Sequence, residues 1–274
     1  MEENKIPKDR QDVLDRIAQN EKLGGENFFN DVEVDPPIKT LMPKDVDYLK
    51  KKISSKVKNF FCKIIINKML KKYAVEHKIQ INGLKNLENL QGGAVLTTNH
   101  FHYFDSAPAV YALKQLQKKH KLHIVIREGN YQLPGFFGFL LKNYNTFPIS
   151  SNMRTMVNLN NAIQKVLKKG HFVLVYPEQA MWWKYKKPRM YKIGAFKWAS
   201  KNNVPIVPCF TTMEDMEWLE EDGMPAQKLT WHIGKPIYPD SSLSIKENAD
   251  IMMKKNKEFT VSVYEKVYGK KYDL

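Results

Sequence analysis

The chain lacks any apolar run approaching the roughly 20 residues that a bilayer-crossing helix needs, so at most a peripheral membrane contact is expected. Cysteine is scarce too. Cys62 and Cys209 stand far apart, with neither metal-ligand spacing nor a disulfide framework, which predicts a reducing compartment and no metal centre. The first ten residues are polar and mixed in charge, without the apolar centre of a signal peptide. No internal repeat or low-complexity tract occurs. A hydrophobic share of 43% and 12% aromatics exclude a disordered chain. Acidic residues are the remaining shortage, with 29 Asp and Glu against 44 Lys and Arg. The resulting net charge of +15 over 274 residues favours anionic partners such as acidic headgroups, phosphorylated substrates or nucleic acid. No nucleic-acid module is legible and the lysines are spread over predicted helices, so no nucleic acid is expected.

What is present falls into three stretches. Residues 1–44 form a polar arm broken at Pro7, Gly24-Gly25, Pro36-Pro37 and Pro43, with a short helix predicted around Asp12 to Glu21. Residues 45–74 read as a basic amphipathic helix, because Val46, Leu49, Ile53, Val57, Phe60, Phe61, Ile64 and Ile65 recur at three- and four-residue intervals. Between Lys44 and Lys72 stand ten lysines against Asp45 and Asp47. An apolar stripe flanked by ammonium groups suits the interface of an anionic bilayer. The plainer alternative is a core-packing helix with a solvated basic face.

Residues 75–274 alternate strand and helix patterns. Strands are predicted at Gly93–Thr98, Leu122–Arg127, Thr146–Ile149, His171–Tyr176, Val204–Thr211 and Leu229–Ile233, and helices at Ser106–Lys119, Arg154–Lys169 and Ile193–Lys201. Gly170 is placed to end the second helix. A closing helix is predicted from Ser244 to Tyr268. This order predicts an α/β domain with a mainly parallel central sheet flanked by helices.

His100 stands at the mouth of the first predicted strand, and Asp105 follows five residues later near a helix start. A carboxylate that holds one ring nitrogen leaves the other free to take a proton from a hydroxyl, which is general-base chemistry. The plain alternative makes His100 a helix cap with Asp105 favourably in the first turn. Three further segments follow in order: Arg127-Glu128 leading to Leu133-Pro134-Gly135, then Val173-Leu174-Val175-Tyr176-Pro177-Glu178, then Val204-Pro205-Ile206-Val207-Pro208.

Together these four segments, over roughly residues 75 to 240, resemble the PlsC-like glycerolipid acyltransferase family with its His-x4-Asp motif. The resemblance implies an O-acyltransferase, active at the cytoplasmic face of a membrane, that moves a fatty acyl chain from a thioester to a lipid hydroxyl. His100 would be the base and Asp105 its orienting partner. The donor would be acyl-CoA or acyl carrier protein, and no cofactor is called for. Glu178 would help bind the acceptor, with the backbone N–H groups after it facing a developing oxyanion. In the family that Glu opens a Pro-Glu-Gly-Thr-Arg segment, whereas here it opens Pro177-Glu178-Gln179-Ala180-Met181. A second family arginine is matched here by Ser151. Serine cannot supply the bidentate phosphate clamp of a guanidinium.

Either the acceptor carries no phosphate, or other cations have taken over. Arg127, Arg154, Lys184, Lys187 and Arg189 are the candidates, with Trp182 and Trp183 placed to stack on a sugar or rest in a lipid interface. The leading expectation is a glycolipid or other phosphate-free acceptor. The alternatives are an ordinary 1-acylglycerol-3-phosphate acyltransferase with a rebuilt phosphate site, and a non-catalytic basic membrane- or nucleic-acid-binding protein. His102 is expected to be a wall residue. Phe136, Phe137, Phe139, Leu140 and Leu141 are expected to line an acyl channel, face a bilayer or sit in the core.

Overall fold

The strand segments at the centre of this protein are short and apolar on both faces, as strands covered on both sides must be. In the computed structural model, which describes residues 6–34, 38–116 and 121–273, α1 spans Lys8–Leu23 and α2 Ile53–Glu76. Then come β1 (Gln80–Asn82), α3 (Lys85–Glu88), β2 (Ala94–Thr97), α4 (Ala107–Gln115), β3 (Leu122–Ile126) and α5 (Glu128–Tyr131). After them run α6 (Gly135–Asn143), β4 (Thr146–Pro148), α7 (Met153–Lys168), β5 (Phe172–Val175) and α8 (Gly194–Lys201). β6 (Ile206–Leu219), β7 (Pro225–Ile233) and α9 (Ile245–Tyr268) complete the chain. The expected helix end at residues 117–119 and the Pro36-Pro37 break lie outside the described residues.

The seven strands form one sheet in the order β1-β7-β6-β2-β5-β3-β4. Every neighbouring pair is parallel except β6 and β7. Period-two alternation divides the side chains between two cores. Leu96, Phe172 and Leu174 face the layer holding α2 and α4, while Val95, Val173 and Val175 face the layer of α7, α8 and α9. Each fully buried aliphatic or aromatic side chain contributes about 1.5–3 kcal/mol to this arrangement.

Helix ends follow local chemistry. α7 starts on Asn152, whose side chain accepts from the Thr155 N–H, and ends where Gly170 takes φ +75°. α9 opens with a reciprocal Ser244/Glu247 capping box and closes on left-handed Gly269. The strands β6 and β7 run well past their expected bounds, since a hairpin extends both beyond the core.

The expected helix from Asp45 is corrected. Pro43–Asp45 form a 3-10 turn, Lys50 has φ +49°, and the helix begins only at Ile53. Val46, Tyr48 and Leu49 pack into the core beside Phe147, and Asp47 accepts from the Lys51 and Lys52 N–H groups just ahead of α2. The helix then carries apolar residues on two sides. Cys62, Leu70 and Tyr73 are buried, whereas Ile53, Val57, Phe60, Phe61 and Ile64, at i, i+4, i+7, i+8 and i+11, form an exposed stripe.

Candidate active site

The parallel strands β2, β3, β4, β5 and β6 point their carboxyl ends to one edge, where open α/β sheets form their crevices. At that edge Asn99 is fastened to β6: its side chain donates to the Thr211 carbonyl (3.0 Å) and accepts from the Thr211 N–H (2.8 Å). The next residue is His100. Its Nδ1 lies 2.6 Å from Oδ2 of buried Asp105, which also accepts from the Phe101 N–H (3.0 Å) and the His102 N–H (3.4 Å). A carboxylate acting only as acceptor leaves the hydrogen on Nδ1 and the lone pair on Nε2. The Tyr176 ring stacks on the imidazole at 4.2 Å between centroids and 23° between planes. Burial, with the charge of Asp105 adding to it, holds the Tyr176 hydroxyl well above its ordinary pKa, so it stays neutral. Tyr176 was legible only as a strand end. The available signal was its position one residue beyond β5, at the same sheet edge as His100.

A cavity of about 800 Å³ opens at this dyad. Its inner part is apolar, walled by Ile66, Met69 and Leu70 of α2 and by Phe137, Leu140 and Leu141 of α6. Its outer part carries Arg127, Lys192, Asp31, Glu33 and Gln179. The expected alternatives for the Phe136–Leu141 run therefore divide by helix face. Phe137, Leu140 and Leu141 line the cavity, while Phe136 and Phe139 are exposed on the outer side. A helix alternates such faces every few residues, so one run supplies both cavity wall and exposed surface.

Residues 78–212 match the family model described as Acyltransferase. A chloroplastic 1-acyl-sn-glycerol-3-phosphate acyltransferase of Arabidopsis thaliana is 30% identical over 135 residues, 48% of this chain and 35% of that protein. A chloroplastic 1-acyl-sn-glycerol-3-phosphate acyltransferase of Brassica napus is 26% identical over 201 residues, 72% of this chain and 47% of its own. The chain thus spans about a third to a half of the length of these curated relatives. The crystal structure of PlsC, the 1-acyl-sn-glycerophosphate acyltransferase of Thermotoga maritima, shares the fold with a TM-score of 0.54 at 17% identity. That alignment covers 82% of this chain and 87% of the other. Residues 78–212 thus resemble an acyltransferase domain, and the chain as a whole has the fold of PlsC.

Several of the expected site residues stand elsewhere in the structure. Glu178 is buried and does not line the cavity. Its Oε2 accepts from the His100 N–H (3.3 Å) and pairs with Arg189 Nη2 (3.2 Å), and its Oε1 accepts from the Arg189 N–H (2.9 Å). It ties the His100–Asp105 turn to the loop after β5. The Gln179 and Ala180 N–H groups, expected to face an oxyanion, donate instead to the carbonyls of Tyr176 (3.1 Å) and Glu178 (3.0 Å).

Trp182, Trp183 and Lys184 are also corrected, because all three are buried away from the cavity. Trp182 stacks on Phe28 and donates to the Asn30 carbonyl, and Trp183 donates to Asp222. Lys184 Nζ lies between Glu220 (2.5 Å) and Asp222 (2.9 Å) on the β6–β7 hairpin. The backbone N–H groups of Trp182 and Lys184 donate to the carbonyls of His100 and Phe101, so the loop braces the His100–Asp105 turn. His102 sits among Tyr73, Phe104 and Trp183 and is not part of the cavity wall.

The expected replacement cations divide in the same way. Arg154 is exposed on the first turn of α7, outside the cavity, and Lys187 pairs with Glu21 and Asp273. Arg189 is fully buried, its guanidinium over the Trp182 ring at 4.5 Å. Arg127 does line the cavity, and Lys192, which the sequence did not single out, joins it. At the position expected from the resemblance to hold an arginine, Ser150 and Ser151 donate to the carboxylate of Glu128, which also accepts from the Leu41 N–H. Burial works against the charged form of Glu128, yet those hydrogen bonds hold its pKa below the usual carboxylate value.

Proposed function

We propose that this protein transfers a fatty acyl chain from an acyl thioester to a lipid hydroxyl, with His100 as general base and Asp105 holding its ring. The observation that carries this reading is the 2.6 Å contact between His100 Nδ1 and buried Asp105, at the head of an apolar cavity of about 800 Å³. The acceptor hydroxyl gives its proton to Nε2 as its oxygen attacks the thioester carbonyl carbon. Collapse of the tetrahedral intermediate breaks the C–S bond, and the departing sulfur takes the proton back from the imidazolium. No acyl-enzyme is required, because the thioester is already activated. The inner apolar walls suit the acyl chain, and the donor is acyl-CoA or acyl carrier protein, both compatible with a basic surface.

The acceptor we favour is a glycolipid or another lipid without phosphate. Supporting this, Ser150, Ser151 and an anionic Glu128 stand where a phosphate-gripping arginine belongs. A second reading, acylation of 1-acylglycerol 3-phosphate, is favoured by the printed names of the relatives and by Arg127 and Lys192 at the cavity mouth. We also place the protein peripherally on a membrane, at its cytoplasmic face, with the apolar stripe of α2 and the outer face of α6 in the lipid interface. Among the described residues no helix is long and apolar enough to cross one.

The test is thiol release from acyl-CoA with a panel of lysophosphatidic acid, lysophospholipids, monoacylglycerol and glycolipids. His100→Ala should lower transfer by about 10²–10⁴-fold, the usual contribution of a general base, and retain vesicle binding. Equal rates for the two proteins with every acceptor would leave only a binding role. Clear preference for lysophosphatidic acid would select the second reading.

A further inference from the structure

The polar arm from α1 to Val34 is held down by a buried cluster of its own. Val13, Ile17, Phe28 and Val32 pack against Ala180, Trp182 and Trp183, and Arg189 Nη1 donates to the Phe28 carbonyl (2.9 Å). This seats Phe29, Asp31 and Glu33 on the outer wall of the catalytic cavity. Among the described residues that line it, the side-chain cations are Arg127 and Lys192. Both meet a carboxylate from the arm. Arg127 Nη1 donates to Asp31 Oδ1 (2.7 Å), and Lys192 Nζ donates to Glu26 Oε2 (2.7 Å) while lying 3.7 Å from the Phe29 ring centroid. Glu33, the other arm carboxylate that lines the cavity, is taken by Arg10 at 2.8 and 2.9 Å.

We infer that this arm determines acceptor specificity, with Asp31 and Glu26 neutralising the two cavity cations and turning the enzyme away from phosphate-bearing acceptors. The inference rests on reading the cavity as an acyl-transfer site, and it names the residues that set its acceptor class. A phosphate needs the Arg127 guanidinium fork, one nitrogen of which donates to Asp31, so binding must displace that carboxylate or place two anions side by side. An uncharged hydroxyl-bearing headgroup meets no such penalty and can use the same carboxylates as acceptors. The buried cluster, and not the ion pairs, fixes the arm, so removing the two charges leaves it in place.

The experiment compares wild type with Glu26→Gln/Asp31→Asn, and with Asp12→Asn/Asp15→Asn as a control of equal charge change on the exposed face of α1. Lysophosphatidic acid and monoacylglycerol are each titrated while the emission of Trp198, which lines the cavity, is followed. Turnover with acyl-CoA is measured in parallel. The expected result is a rise of about tenfold in the preference for the phosphate acceptor, read as the ratio of Kd values and of kcat/KM values, in the first variant alone. Tenfold corresponds to about 1.4 kcal/mol, and it should shrink as salt is added because both pairs are partly exposed. An unchanged or reduced ratio, or an equal shift in the control, overturns the inference. Absence of His100-dependent thiol release with every acceptor strikes the acyl-transfer reading alone, since the binding ratio still decides the role of the arm.

Discussion

Two histidines, half-buried His102 within the His100–Asp105 turn and buried His123 on β3, should make the protein sensitive to acid. Burial pushes His102 down to about 4, opposed by the charge of Asp105 and reinforced by His77 and Lys184. Burial, with His171 and nearby lysines, takes His123 down to about 3. Between these values and the ordinary 6.5, the unfolded chain binds more protons than the folded one. Stability therefore rises with pH through that window and is lost as pH falls. Between pH 7 and 5 the loss should be on the order of 2 kcal/mol per histidine. Chemical denaturation at the two pH values checks it, and His123→Phe should flatten the dependence. Among the described residues neither ring nitrogen of His123 finds a hydrogen bond, and the ring stacks on Phe147 at 4.7 Å. Replacing it with a ring of similar shape should also stabilise the protein at neutral pH, by about 1 kcal/mol or more.

The loop after β5 is the element that braces the His100–Asp105 turn. Its motif residue Glu178 and its distant member Arg189 form a fully buried pair, further satisfied by the carbonyls of Phe28 and Ala180. Deleting one partner strands the other charge. Arg189→Met should destabilise the fold by about 3–5 kcal/mol, whereas Glu178→Gln/Arg189→Met should recover part of that loss. Thermal and denaturant unfolding of the single and double variants check this, and equal losses in both would mean the pair is not coupled. The guanidinium that pairs with Glu178 thus comes from eleven residues further on. Spacing could not reveal this, because a loop can return a side chain from any distance that its packing allows.

At the scale of the whole molecule, the apolar stripe of α2 and Phe136 and Phe139 of α6 belong to helices in contact, on the cavity side of the sheet. Phe60→Ser/Phe61→Ser should weaken partition onto anionic vesicles by about tenfold or more, given roughly 25 cal/mol for each Å² of apolar surface withdrawn from lipid. Circular dichroism and the unfolding midpoint should stay near wild type, because both rings are largely exposed. Undiminished flotation with vesicles would place the contact elsewhere.

The sequence by itself determined the parallel α/β plan, because short doubly apolar strands and period-3.6 helices have few other ways to hide their surfaces. It determined the His100–Asp105 pair as well, since a separation of five residues across one turn leaves little conformational choice. The direction of the α2 stripe, the burial of Trp182, Trp183 and Lys184, and the return of the N-terminal arm to the cavity mouth were decided only by tertiary structure. Core-facing and lipid-facing residues are equally apolar, so periodicity shows that a stripe exists but not what covers it. A charged or aromatic side chain in a loop is likewise addressed by partners far along the chain. Lys184 meets Glu220 and Asp222, Arg189 meets Phe28, and Arg127 meets Asp31, pairings set by three-dimensional packing that no local pattern encodes.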